Sequence, residues 1–229
     1  MNSLTDLHYG RGALYEYFYI IFSGAFNKNF IGLSRIFGTL FENMEEVFPL
    51  LKFKESSLLL FEYSSVEEKI SVDEVLHILQ RQFSGLYLVG ACGITPTESV
   101  YLSAEGINRQ EPWSEVKEIY AKRGFSLPVD FKEPEDHIGA ELLFMSRMSC
   151  LTADLLNEGN RDKAYKAIKE QLDFINKHLG RWTEPFCRHT EILAQERKAP
   201  LFAAAAKALT GYINYVETQT LQEILNQYV

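Results

Sequence analysis

Apolar side chains recur at intervals of three and four residues along most of this chain, and that period decides what it can fold into. Leu14, Tyr17, Phe18 and Ile21 form a first stripe that Gly24 can end, and Ile36, Phe37, Leu40, Phe41, Met44 and Val47 form a second, stopped by Pro49. A short helix is expected around residues 56–63. Ser71-Val72-Asp73-Glu74 matches a capping box, in which hydroxyl and carboxylate reciprocally satisfy orphan N–H groups. Behind it Val75, Leu76, Leu79, Phe83 and Leu86 share a face, which predicts a helix to about Val89. Pro112 opens another with Trp113, Val116, Ile119 and Tyr120 on one side and Gly124 as its stop. Ala164, Tyr165, Ile168, Leu172, Ile175 and Leu179 mark a helix ending at Gly180; two more flank Pro200, and residues 221–228 form a short last one. Residues 90–99 are punctuated as a loop. Val100-Tyr101-Leu102 resembles a strand, but no second strand exists to satisfy its backbone, so it is expected to be extended or irregular. The expected fold is all-α, a single globular bundle-like domain of about ten helices.

Composition limits function more than it names it. A chain of 229 residues, 46% hydrophobic, can bury a sizeable core. A formal net charge of −8 argues against general nucleic-acid binding and suits a basic partner. Cys92, Cys150 and Cys187 form no CxxC pair and read as buried or free thiols of a reducing compartment. The first twelve residues hold Asp6, His8 and Arg11, and the apolar run after them is short and interrupted by Glu16. Neither a signal peptide nor a stable membrane insertion is expected, and the expected location is cytoplasmic.

Enzyme chemistry finds little support. Gly85, Gly90 and Gly93 do not make GxGxxG, and no GxxxxGK[ST] loop is present. Cys187 and His189 lie two apart and would not share a helix face, while His137 and Glu141, at i and i+4, lack a second His-rich element. No catalytic residue, metal or cofactor is therefore assigned. One stretch stands out: Glu133-Pro134-Glu135-Asp136-His137-Ile138-Gly139. Pro134 suits a first helical turn, the carboxylates suit the positive end of the helix dipole, and Ile138, Leu142, Met145 and Cys150, with Leu143 and Met148 alongside, continue the apolar face. Such a stretch is either an acidic helix start or a binding element held at the junction of a loop and a rigid helix.

Four segments resemble the TorD/DmsD/NarJ family of redox-enzyme maturation chaperones, its TorD/DmsD branch in particular. Phe83-Ser84-Gly85-Leu86-Tyr87-Leu88 resembles the family's aromatic-x-x-Leu-aromatic segment, and Pro96-Thr97-Glu98-Ser99-Val100-Tyr101-Leu102 its P-x-x-S-V-Y loop. Residues 133–138 are similar to its E-P-x-D-H signature, followed by Glu141-Leu142 and Phe144-Met145. His178-Leu179-Gly180-Arg181-Trp182 with Phe186 resembles its H-L-x-x-W…F turn. The chain departs from some relatives in having Gln110-Glu111 in place of a glycine, and Phe83 where others have tryptophan.

The resemblance implies a cytoplasmic chaperone without turnover. It would bind the twin-arginine signal peptide and the apoprotein of a molybdopterin oxidoreductase of the dimethyl sulfoxide or trimethylamine N-oxide reductase type, assist cofactor insertion and delay export. Guanidinium groups followed by an apolar run call for carboxylates beside an apolar wall. The implied signal-peptide residues are Phe83, Leu86, Tyr87, Pro96, Ser99, Tyr101, Glu133, Glu135, Asp136, His137 and Glu141. The expected organisation is an N-terminal half of about 1–124, a hinge connector of about 125–135 and a C-terminal half of about 136–229, monomeric with a minor domain-swapped dimer. Two alternatives are carried forward: a small helical enzyme with His137 as general base oriented by Asp136 or Glu141, and a helical adaptor unrelated to redox enzymes.

Overall fold

The capping box closes as its sequence predicts. Glu74 N–H donates to Ser71 Oγ at 3.2 Å, and Ser71 N–H donates to Glu74 Oε2 at 2.9 Å. The computed structural model describes residues 4–30, 38–40, 42–43 and 70–227. Of the stripe expected at 36–47 only 38–40 and 42–43 are described, and the helix expected at 56–63 lies outside the described residues. The helices are α1 Leu4–Ser23, α2 Val72–Tyr87, α3 Glu98–Leu102, α4 Glu111–Arg123, α5 Ile138–Asn157, α6 Arg161–Phe174, α7 Gly180–Glu196, α8 Pro200–Gly211 and α9 Thr218–Asn226. Gly24 and Gly124 follow α1 and α4 with φ of 70° and 62°, the left-handed geometry that ends a helix. Extended pairing among the described residues is one isolated antiparallel bridge, Thr97 with His137. The protein is all-α.

Three expectations need correction. Residues 98–102 are helical: Glu98 N–H donates to the Asp136 carbonyl and Ile138 N–H to the Pro96 carbonyl, so one bridge anchors the segment and a short helix satisfies the backbone beyond it. The helix of the acidic stretch opens at Ile138 with His137 as N-cap, leaving Pro134 in the turn before it. Gly180 ends nothing. Helix α6 passes through a π-helical turn, Ile175–Leu179, directly into α7. A Cβ on Gly180 would lie 2.7 Å from the Ile175 carbonyl oxygen, so glycine is needed there for close approach rather than for a left-handed stop.

The chain forms two compact units interleaved along the sequence: Met1–Tyr19, Pro96–Thr183 and Ile213–Val229 in the first, Ile20–Thr95 and Glu184–Tyr212 in the second. Residues 125–135 lie inside the first unit. There α1 crosses α5 closely, since a Cβ on Gly12 would meet Cys150 Sγ at 2.7 Å. Beside that crossing Arg11 is buried against Glu217, with Nε 3.0 Å from Oε2, while its Nη2 donates to Gln171 Oε1 at 2.8 Å. Burial, and then the Arg11 charge, hold the His8 pKa down at about 3. In the second unit Phe83, Tyr87, Phe186 and Phe202 pack ring against ring, with Phe83 5.1 Å from Tyr87 and Tyr87 6.2 Å from both Phe186 and Phe202. No described helix is long and apolar enough to cross a membrane.

Candidate functional site

Asp136 is the knot of the first unit. Its Oδ2 accepts the Ser99 backbone N–H at 2.9 Å and the Ser99 hydroxyl at 2.5 Å. Ser99 Oγ in turn accepts the Gln110 N–H at 3.1 Å, immediately before α4. The loop of 96–99, the start of α4 and the entry to α5 are thus tied through one buried carboxylate and one hydroxyl. Burial raises the Asp136 pKa, and the two Ser99 hydrogen bonds offset part of the rise.

His137 completes the helix start. Its Nδ1 accepts the Gly139 N–H at 3.0 Å, so the ring is neutral and caps α5 as a serine or asparagine would. Burial holds its pKa down at about 3. As a general base it would need a carboxylate on Nδ1, but Nδ1 accepts the Gly139 N–H, and Asp136 and Glu141 hydrogen-bond Ser99 and Trp182 instead of the ring. The enzyme alternative built on His137 loses its geometry here.

A second layer of buried charge lies beyond. Glu141 Oε2 accepts the Trp182 indole N–H at 3.2 Å, and Glu98 Oε2 lies 3.1 Å from His178 Nδ1. Burial, with the Glu98 and Asp136 carboxylates beside it, pushes the Glu141 carboxyl well above the usual carboxylate range. Asp136 Oδ1, Glu141 Oε1 and the Tyr120 hydroxyl are buried without a hydrogen-bond partner. His178 and Trp182, four residues apart on the helix that continues through the π-turn, share a face, so both reach this layer. The four-residue spacing of His178 and Trp182 was a usable sequence signal, whereas the buried role of Glu98 had none.

The predicted site residues therefore divide. Pro96, Ser99, Asp136, His137 and Glu141 are buried in the first unit, and Tyr101 packs there with its ring 5.5 Å from Trp182. Glu133 is exposed and Glu135 is 29% exposed. Glu135 accepts the Trp113 indole N–H, a partner that sequence reasoning did not assign. Phe83, Leu86 and Tyr87 are buried in the second unit, where the Tyr87 hydroxyl donates to Thr190 Oγ1 at 3.3 Å. Leu88 and Val89, next in the chain, are exposed. Among the described residues no cluster of three or more His, Cys, Asp or Glu side chains has metal-binding geometry.

Comparison with known proteins agrees with these motifs. The chain is 30% identical over 118 residues to a chaperone protein TorD of Aliivibrio fischeri, covering 52% of each chain. It is 30% identical over 111 residues to that of Photobacterium profundum, covering 48% of this chain and 50% of the relative. It is 26% identical over 132 residues to that of Vibrio cholerae, covering 58% and 56%. The matches span about half the length of these curated relatives. A crystal structure described as a candidate redox enzyme maturation protein of Archaeoglobus fulgidus aligns with 93% of this chain and 95% of its own, at 19% identity and a TM-score of 0.49. A family model described as nitrate reductase delta subunit matches residues 58–188, which hold the Asp136 knot, the capping His137 and the π-turn. Since that match spans more than half of the chain, the protein belongs to the nitrate reductase delta subunit family, the TorD/DmsD/NarJ group its motifs resemble.

Proposed function

We infer that this protein is a system-specific chaperone for a molybdenum-cofactor oxidoreductase, acting in the cytoplasm on the apoenzyme and its twin-arginine signal peptide. The observation that carries the reading is the family match over the segment that holds the signature, together with curated relatives named as TorD chaperones. Such a chaperone binds its client, assists cofactor insertion and delays export; the client class favoured by the resemblance is a dimethyl sulfoxide or trimethylamine N-oxide reductase.

The geometry supports a division of labour within the signature. Ser99, Asp136, His137 and Glu141 hold the site in shape from inside, through buried hydrogen bonds. Glu133 and Glu135, on the loop that this knot fixes, face outward and receive the guanidinium groups. A loop anchored by buried polar contacts presents carboxylates with little ordering cost on binding.

Co-purification tests this reading. The tagged chain, expressed with a candidate reductase carrying its leader, should retain the apoenzyme. It should lose most of it when the leader's arginine pair is changed to alanine. Equal retention with and without the arginine pair would contradict signal-peptide recognition, and no retention of any reductase of this class would contradict the client.

A further inference from the structure

Lys117 already seats a cation beside the outward carboxylate. Trp113 and Lys117 stand four residues apart on α4, and the Lys117 ammonium lies 4.7 Å from the centre of the Trp113 ring. The same ammonium is 3.9 Å from Glu135 Oε1. Glu135 Oε2 accepts the Trp113 indole N–H, so the ring and the carboxylate hold each other in place. Together they make a corner with an aromatic face on one side and a negative charge on the other, within the roughly 6 Å reach of a cation–π contact.

The present occupant is loosely held. The Lys117 side chain is 56% exposed, and an exposed ion pair is weak. An ammonium is also strongly hydrated and meets a carboxylate as a point charge. A guanidinium suits the corner better, because its plane stacks on indole while its N–H fork meets the carboxylate.

We propose that the Trp113–Glu135 corner seats an arginine side chain of the client's signal peptide, and that Lys117 is a built-in cover which an incoming guanidinium displaces. The proposal rests on the signal-peptide reading above and adds the residues that select the side chain. A lysine on the peptide gains nothing over Lys117, which is tethered beside the corner at high effective concentration. An arginine gains the stacking and the fork. The cover therefore acts as a filter for arginine over lysine.

Calorimetric titration of a twin-arginine peptide and its twin-lysine counterpart tests this, with circular dichroism as a check on folding. Lys117→Ala should tighten the arginine peptide about three- to tenfold and the lysine peptide by more, shrinking the discrimination. Lys117→Arg should weaken both peptides, because a tethered guanidinium covers the corner better. Trp113→Leu should weaken the arginine peptide about three- to tenfold and leave Lys117→Ala without effect in the double variant. Lys122→Ala removes the same charge from the same helix without opening the corner, so equal tightening by Lys122→Ala and Lys117→Ala would overturn the proposal. A neutral Trp113→Leu or a neutral Lys117→Arg would also overturn it. Arginine amide separates this proposal from the reading beneath it: it should shift the Trp113 indole N–H resonance in Lys117→Ala. A shift without binding of either peptide would break the signal-peptide reading while leaving an arginine site; no shift would remove the corner itself.

Discussion

Glu135 and Asp136 are neighbours in the chain, yet one looks outward and the other is fully buried. Asp136 spends its charge on two hydrogen bonds from Ser99, and burial raises its pKa. Glu135 keeps one oxygen on an indole N–H and the other beside a loosely held lysine. A buried carboxylate is valuable where it satisfies groups that would otherwise be orphaned, and at 0% exposure Asp136 can meet a partner's guanidinium only if the packing over it opens. A partly exposed one can exchange a weak local cation for a better one. A run of acids at a helix start can therefore hold two functions, split at one peptide bond.

The contrast breaks most visibly through stability. Asp136→Ala leaves the Ser99 N–H and hydroxyl buried without an acceptor, and urea denaturation should show a loss of about 2–4 kcal/mol. A loss below about 0.5 kcal/mol would mean that the knot is not structural. Gly180→Ala should come next, at about 1–3 kcal/mol, because the new methyl meets the Ile175 carbonyl at the turn that aims His178 and Trp182. Thermal melts of this variant, with Gly10→Ala in α1 as a comparison where nothing lies near the new methyl and φ is not positive, measure it.

The pH dependence sharpens the same contrast. The folded protein holds His137 neutral down to about pH 3, while the unfolded chain takes up that proton near the ordinary histidine value. Between those limits the unfolded state binds more protons, so stability falls as pH falls, by up to ~1.4 kcal/mol per pH unit for one such group. His137→Asn keeps an acceptor for the Gly139 N–H and removes the titration. Its stability at pH 5 relative to pH 7.5 should therefore decline less than that of the wild type. An unchanged slope would contradict a His137 contribution; His8, whose pKa is also held at about 3, has the same sign of effect.

Much of this fold was legible because helices announce themselves twice, by apolar spacing and by caps. The Ser71–Glu74 box and the Gly124 stop appear where the residues predict them. Helix α3 was not legible, since five residues carry no period and its anchor, Asp136, lies 37 residues from Ser99. Gly180 misled because a glycine needed for close approach reads in sequence like one needed for a left-handed stop. In the site, the residues were visible and their burial was not: nothing in the letters separates Glu135 from Asp136. The partners that decide it, Trp113 at 22 residues and Ser99 at 37, come only with the fold.

The division of labour assigns the arginine pair to the outward carboxylates and the shape of the site to the buried ones. Calorimetry with a client's twin-arginine peptide puts it to the test, comparing wild type, Glu133→Gln/Glu135→Gln and Asp136→Asn, each verified as folded. The surface double variant should keep its stability within about 0.5 kcal/mol and lose roughly tenfold or more in affinity, as expected for charge-assisted hydrogen bonds. That loss should shrink at high salt. Asp136→Asn, which retains an acceptor for Ser99, should bind within about threefold of wild type, as a change outside the contact surface would. Undiminished affinity in the surface double variant, with binding abolished in a folded Asp136→Asn, would reverse the assignment.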